Sequence, residues 1–314
     1  MGARSAGGTR IFRLAHAAPG LVEWAARARR GWHRWSQEAG VELVGGEGTV
    51  VSGEIAAMAE AMTQAGAGYR VVGEPPPLLP AAAPAGPFLV DPAGGVIQAA
   101  ATGRFLIGVL GPRLAGAAVT GIEARGGSVR VLAGADGWEC DSVLVAAGAA
   151  TPALAAQVGI RAPAAMDHHA RFTFALRDPA AAPPCWLDDS HAWQPGFTSY
   201  GHLAGPGLWA VGGHLPGGQT RWEMGREQAV QASAETVGRY VTDHLTGLLP
   251  GAVEMVYCTT IADAGDGVSA ELAGPVLAVW GNNLFKHAPY LAEVLVTALA
   301  SGELPTTFEA AAPR

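Results

Sequence analysis

The sequence predicts a mixed α/β chain, α+β overall, with one half built on buried strands that feed helices and the other on an antiparallel sheet. Three observations carry this. Ser142-Val-Leu-Val-Ala-Ala-Gly148 is a short apolar run ending in glycine, followed by helical composition over Thr151 to Gln157, the order of elements in a parallel layer. The same order returns near the end, where Val276 to Trp280 reads as a strand, Gly281 to Pro289 as a polar turn and Tyr290 to Ala300 as a helix. Between these, Phe172 to Leu176, Phe197 to Tyr200 and Leu208 to Val211 are brief β-like runs suited to antiparallel pairing.

The remaining elements follow from local signals. Trp24, Ala28, Trp32, Trp35 and Ala39 recur near a 3.6-residue spacing, so a helix runs from Pro19 to a glycine stop at Gly40. Glu54 to Ala65 has helical composition. Six prolines between Pro75 and Pro87 exclude helix and central strand, which makes this stretch a surface connector. Gly94 to Ala117 reads as a helix leading to a hairpin, Val119 to Ile122 with Val129 to Leu132, turned at Arg125-Gly126-Gly127. An amphipathic helix covers Arg226 to Leu245.

Composition excludes several classes. At 314 residues and 49% hydrophobic, the chain can fill a large core and is not disordered. Lys and Arg number 20 against 27 Asp and Glu, with no basic block, so nucleic acid is not an expected partner. Cys140, Cys185 and Cys258 form no CxxC pair, which fits a reducing cytoplasm and argues against a thiolate metal site. Asp167-His-His169 suggests no metal either, because adjacent histidines on a strand face opposite ways; it reads as surface or domain-boundary polarity. The first residues carry no signal peptide, and the longest uncharged run, Ser142 to Ile160, is too weakly apolar to span a membrane. A cytoplasmic protein with no membrane partner is expected. Nothing in composition fixes the oligomeric state.

Three segments appear in order: Ser5-Ala-Gly-Gly-Thr-Arg-Ile-Phe-Arg13, Leu144-Val-Ala-Ala-Gly-Ala149, and Gly281-Asn-Asn-Leu-Phe-Lys-His-Ala-Pro289. Together they resemble the FAD-dependent amine oxidoreductases of the D-amino-acid oxidase superfamily, nearest to the sarcosine oxidase and N-methyltryptophan oxidase branch. The resemblance implies an FAD-binding-type domain over 1–50, 95–162 and 259–314, interleaved with an antiparallel-sheet substrate domain over 51–94 and 163–258. One departure is clear. The family places a strand, a Gly-x-Gly-x-x-Gly turn, a helix and a second strand before the Thr-Arg motif, whereas eight residues precede Thr9 here. The expectation is a truncated flavoenzyme sequence. Gly205-Pro-Gly207-Leu-Trp-Ala210 fits the glycine pattern but precedes a strand, so it is no substitute.

The resemblance also implies residue roles. Arg13 and Lys286 would hold a substrate carboxylate, while His214 and Tyr200 would shape the amine side. Ser5, Gly8, Thr9, Arg10, Val119, Gly148, Ala149, Asn283, Leu284, Phe285 and Lys286 would line non-covalent FAD. The implied reaction oxidises an amino acid or N-alkyl amino acid, a small amine carboxylate, by hydride transfer to flavin N5. Ala210 stands where the family's oxygen-activating lysine falls, which puts oxidase activity in question against a dehydrogenase. Val256 stands where some relatives attach the flavin covalently. The alternative is a flavin-free relic of the fold acting as a carboxylate-binding or interaction protein.

Overall fold

The computed structural model describes residues 6–76, 80–81, 86–262, 264–306 and 308. In chain order the first strands and helices are β1 (Arg10–Phe12), α1 (Pro19–Ala39), β2 (Thr49–Gly53), α2 (Ala56–Gln64), β3 (Arg70–Val72) and β4 (Phe88–Asp91). Next come β5 (Gly95–Ile97), α3 (Ala99–Leu110), β6 (Gly121–Arg125), β7 (Ser128–Ala133), β8 (Asp136–Cys140), β9 (Val143–Val145) and α4 (Thr151–Ala156). The second half holds β10 (Met166–Ala175), β11 (Cys185–Asp189), β12 (Thr198–Gly205), β13 (Leu208–His214), α5 (Arg226–His244), β14 (Glu254–Ile261), β15 (Val268–Ala273), β16 (Val276–Gly281) and α6 (Leu284–Ser301).

The expected parallel and antiparallel layers are both present. β16 pairs parallel with β9 in a three-stranded sheet completed by β15. The large sheet has eight strands in the order β14-β10-β13-β12-β11-β2-β4-β3, antiparallel except where β11 meets β2. Its one face carries Phe172, Phe174, Trp186, Trp209 and Val211 against Val237, Tyr240 and Val241 of α5. Because side chains alternate along a strand, His169, Arg171 and Thr173 turn to the opposite face. Register places Gly212 beside Arg171 and Ala210 beside Thr173 on that face, with Tyr200 and His202 one strand further on. That second face is polar and buried.

Local chemistry explains most boundaries. α1 begins with Pro19 in its first turn and ends at Gly40, whose φ of 66° is the left-handed cap that glycine adopts without strain. Gly205 and Gly207 form the β12–β13 hairpin turn, so the glycine pattern there is a turn and no phosphate cradle. β6 and β7 pair around Gly126-Gly127 as expected, but β8 adds a third strand that its exposed, non-alternating Asp136-Gly-Trp-Glu-Cys140 did not announce.

Two expectations are corrected. The segment Gly281 to Pro289 is not a polar turn throughout, because α6 starts at Leu284 and contains Pro289. Proline removes one helix donor, yet its ring fits against Gly31 of α1, where a Cβ would come within 2.4 Å of Pro289 Cβ. Packing of α1 on α6 thus outweighs the local preference. The second correction concerns Asp167-His-His169. Both histidines are buried: His168 stacks on Trp222 and meets Tyr257 Oη at 2.7 Å, while His169 meets Tyr200 Oη at 2.7 Å. Among the described residues, no helix is long and apolar enough to cross a membrane.

Candidate active site

β1 carries Arg10 beside the large sheet and leads to Arg13. The backbone just after it is fixed by Asp91 at the end of β4, fully buried, which accepts the N–H groups of Leu14, Ala15 and Ala93 at 2.5, 3.3 and 3.0 Å. Burial raises the Asp91 carboxyl above its ordinary value in spite of those bonds. Arg13, buried, donates to the Ala15 carbonyl at 2.9 Å and to Asp266 Oδ2 at 2.5 Å.

Asp266 is the hub of this group. It also accepts His16 Nδ1–H at 2.9 Å and Asn283 Nδ2–H at 2.5 Å. Burial opposes its charge, but Arg13, His16 and Lys286 hold it well below the usual carboxylate range. Lys286 lies in the first turn of α6, buried, its backbone carbonyl bonded by Trp32 Nε1 at 2.9 Å. Burial first, then the Arg13 charge, bring its ammonium down to about 7, against the pull of Asp266 and Asp91. His16 is pushed down to about 3 by burial, Lys286 and Arg13, so it is neutral and serves as a donor to Asp266. Cations from opposite ends of the chain therefore share one electrostatic neighbourhood, and a carboxylate of the chain itself already sits on Arg13.

A second group covers the polar sheet face. Arg171 NH1 donates to the Thr9 carbonyl at 2.9 Å and lies 3.4 Å from His202 Nε2. Thr9 Oγ1 is 3.1 Å from the same nitrogen. Arg10 is held below its ordinary value by burial and by Arg171. Tyr200 lies over Gly212, where a Cβ would meet its ring at 2.3 Å, and burial pushes its phenol up to about 12. Burial, then His214, Arg171 and Arg10, push His169 down to about 3. His214 itself is exposed, 3.3 Å from Thr198 Oγ1, with its ring 5.7 Å from that of His169. Asp189 links the two groups. Its carboxyl is raised by burial while both Arg13 and His214 pull it down, which places it in the field of each.

The other expected cofactor residues are dispersed in character. Thr9 is buried, whereas Gly8, Val119, Gly148 and Ala149 are exposed. Asn283 is bonded to Asp266, Leu284 packs beside the Trp24 cluster, and the Phe285 ring stacks 6.0 Å from Trp32. Ser5 lies outside the described residues. Sequence reasoning missed Asp91, Asp189, Asp266, Arg171, His16 and His202. Only Arg171 left a signal, a charge inside the apolar run of β10.

No protein-family model and no curated protein sequence matches the chain. Solved structures do match its fold. The open form of NikD, an unusual amino acid oxidase essential for nikkomycin biosynthesis, superposes with a TM-score of 0.81 at 17% identity, covering 100% of this chain and 88% of that one. L-proline dehydrogenase from P. horikoshii gives 0.72 at 14% identity, covering 98% and 87%. Iminodiacetate oxidase from Chelativorans sp. BNC1 gives 0.72 at 16% identity, covering 99% and 90%. The chain has the amino acid oxidase fold. The fold implied by the sequence resemblance is therefore present across the whole chain. Within this fold β9, whose Leu144 is 38% exposed, is bonded to β16 alone among the described strands.

Proposed function

We propose that the chain is an FAD-dependent amine oxidoreductase that oxidises an amino acid or N-alkyl amino acid. The observation that supports this best is the burial of Lys286 and Arg171 close to β1 and one sheet face, where cations are costly unless an anionic ligand completes them. The residues fit the ring end of a flavin. Lys286 and Asn283 would stand at that end with Arg10, and Gly8, Gly148 and Ala149 offer exposed backbone without bulky side chains for close approach.

A bound flavin supplies N5 as the acceptor of hydride from the carbon bearing the amine nitrogen. Lys286 holds the substrate carboxylate, with Arg13 adding its charge from beside it while paired to Asp266, and a desolvated ammonium does so more strongly than one in water. The His169–Tyr200 pair and His214 border the amine side. Asp189, its carboxyl raised by burial, is suited to take the proton that an ammonium substrate must lose before oxidation. Ala210, fully buried, offers no cation on β13, which favours a dehydrogenase or slow oxidase.

The absorption spectrum of the purified protein tests this. A flavin band that bleaches when N-methyl amino acids are added without oxygen is the expected result; a colourless protein that flavin does not reconstitute would overturn it. A second reading has one observation in its favour, the Asp266 carboxylate already seated on Arg13. Under it the chain is a flavin-free carboxylate-binding relic, colourless yet able to bind acetate.

A further inference from the structure

β1 is three residues long and has a single strand partner, β5, in a two-stranded sheet too small to hold itself in place. Its C-terminal end is tied by Asp91 of the large sheet, which accepts the N–H groups of Leu14 and Ala15. Its N-terminal end is tied by the same sheet through Thr9. Arg171, on β10, donates from NH1 to the Thr9 carbonyl at 2.9 Å, and Arg10 donates to the same oxygen at 2.7 Å, so one acceptor fixes both guanidiniums. His202, on β12, is held neutral, well below its ordinary value, by burial and by Arg171 and Arg10. Its Nε2 faces Arg171 NH1 at 3.4 Å, and a guanidinium only donates, so that nitrogen carries the lone pair and accepts the Thr9 hydroxyl at 3.1 Å.

The contact is closed. Thr9, Arg171 and His202 are buried, and a Cβ on Gly7 would come within 2.5 Å of Arg171 NH2 and 3.1 Å of Arg10 NH1. It is also costly. Arg171 Nε and His202 Nδ1, both donors, are buried and meet no partner among the described residues, and the charge of Arg171 opposes that of Arg10. Local rules are broken in this way where position matters more than stability.

We infer that Arg171 and His202 are positioning residues for the candidate site: acting through Thr9, they set where β1 holds Arg10 and Arg13. This rests on the proposed function, in which those two arginines serve the flavin ring end and the substrate carboxylate. With Asp91 at the other end, β1 is fixed at both ends by side chains of the large sheet. The sheet that borders the amine side therefore also sets the arginines that face the carboxylate.

The test combines calorimetric titration with acetate and hydrogen–deuterium exchange on the purified protein, with its flavin if it carries one. Arg171→Met should weaken acetate binding about fivefold, the factor of one lost hydrogen bond. It should also speed exchange at the amides of residues 8–14 while the rest of the large sheet stays protected. His202→Phe removes no charge and should weaken acetate binding several-fold. Arg171→Gln keeps an N–H donor for the Thr9 carbonyl without the charge and should recover most of the loss, as should Arg171→Lys, which serves if the methionine variant does not fold. A loss in Arg171→Gln equal to that in Arg171→Met, with His202→Phe unchanged, would mean that Arg171 acts by charge alone and overturns the inference. So would undiminished acetate binding in Arg171→Met, unchanged exchange at residues 8–14, or a wild type that binds no acetate. The proposed function fails separately: a colourless protein whose acetate binding follows these variants loses only the oxidation, and a flavin bleached by N-methyl amino acids with acetate binding indifferent to Arg171 and His202 loses only the positioning role.

Discussion

Arg13 and Asp266, 253 residues apart in sequence, form an ion pair of 2.5 Å between the loop after β1 and the loop before β15. His16 and Asn283 bond the same carboxylate, so one acidic side chain joins both ends of the chain. Its position on Arg13 makes it a competitor for any carboxylate ligand of that arginine.

Replacing Asp266 by Asn should therefore tighten acetate binding several-fold, measured by calorimetry at constant pH. The same substitution should cost about 1 kcal/mol of stability at neutral pH, discounted because the Asp266 side chain is 38% exposed. The folded carboxyl titrates below its unfolded value, so its contribution is full above the unfolded value of 3.8 and is lost as pH falls through the lower folded value. Urea midpoints of wild type and variant should converge on acidification; a gap that widens in acid would contradict the pairing.

Lys286 gives the opposite edge of the pH profile. Its folded value of about 7 lies below the ordinary 10.5, so the unfolded chain binds the proton more tightly between those limits. The cost of the buried charge is complete below about 7 and is relieved as pH rises toward 10.5, by at most ~1.4 kcal/mol per unit. Lys286→Met should stabilise the protein more at pH 6 than at pH 9 in thermal melts. Acetate affinity of the wild type should rise as pH falls through about 7, where the ammonium forms. A flat affinity profile would separate Lys286 from carboxylate binding.

Asp91 should matter through geometry. Asp91→Ala leaves three backbone N–H groups without their acceptor. With each buried orphan costing about 1–3 kcal/mol, a loss of about 3 kcal/mol is expected in chemical denaturation, together with weakened acetate binding because Arg13 is no longer held. Unchanged stability would show that the loop after β1 is fixed by something else.

Gly31→Ala probes the α1–α6 contact that presents Lys286. The added methyl would meet the rigid Pro289 ring at 2.4 Å, and the helices must separate to admit it. A loss of about 1–3 kcal/mol is expected. The double variant with Pro289→Ala should recover much of it, which would distinguish this clash from a general helix effect.

The sequence by itself determined the elements whose signals are local. The indole spacing and terminal glycine of α1, the proline and glycine punctuation of the turns, and the short β-like runs of β12 and β13 each act within a few residues, so they were legible along with the fold class. Arg13 and Lys286 drew attention through motif resemblance alone, and the fold buries them in one electrostatic neighbourhood. Tertiary structure decided what surrounds them. Asp266, Asp91 and Asp189 have no distinguishing neighbours in sequence and join the candidate site only because the ends of β4 and β11 and the loop before β15 meet just after β1. The start of α6 at Leu284 was likewise set by packing of Pro289 on Gly31, against local preference. Burial is the physical reason: whether a charged or titratable side chain is solvated, paired or left wanting an anion depends on the low-dielectric space that distant segments close around it, and that space exists only in the folded chain.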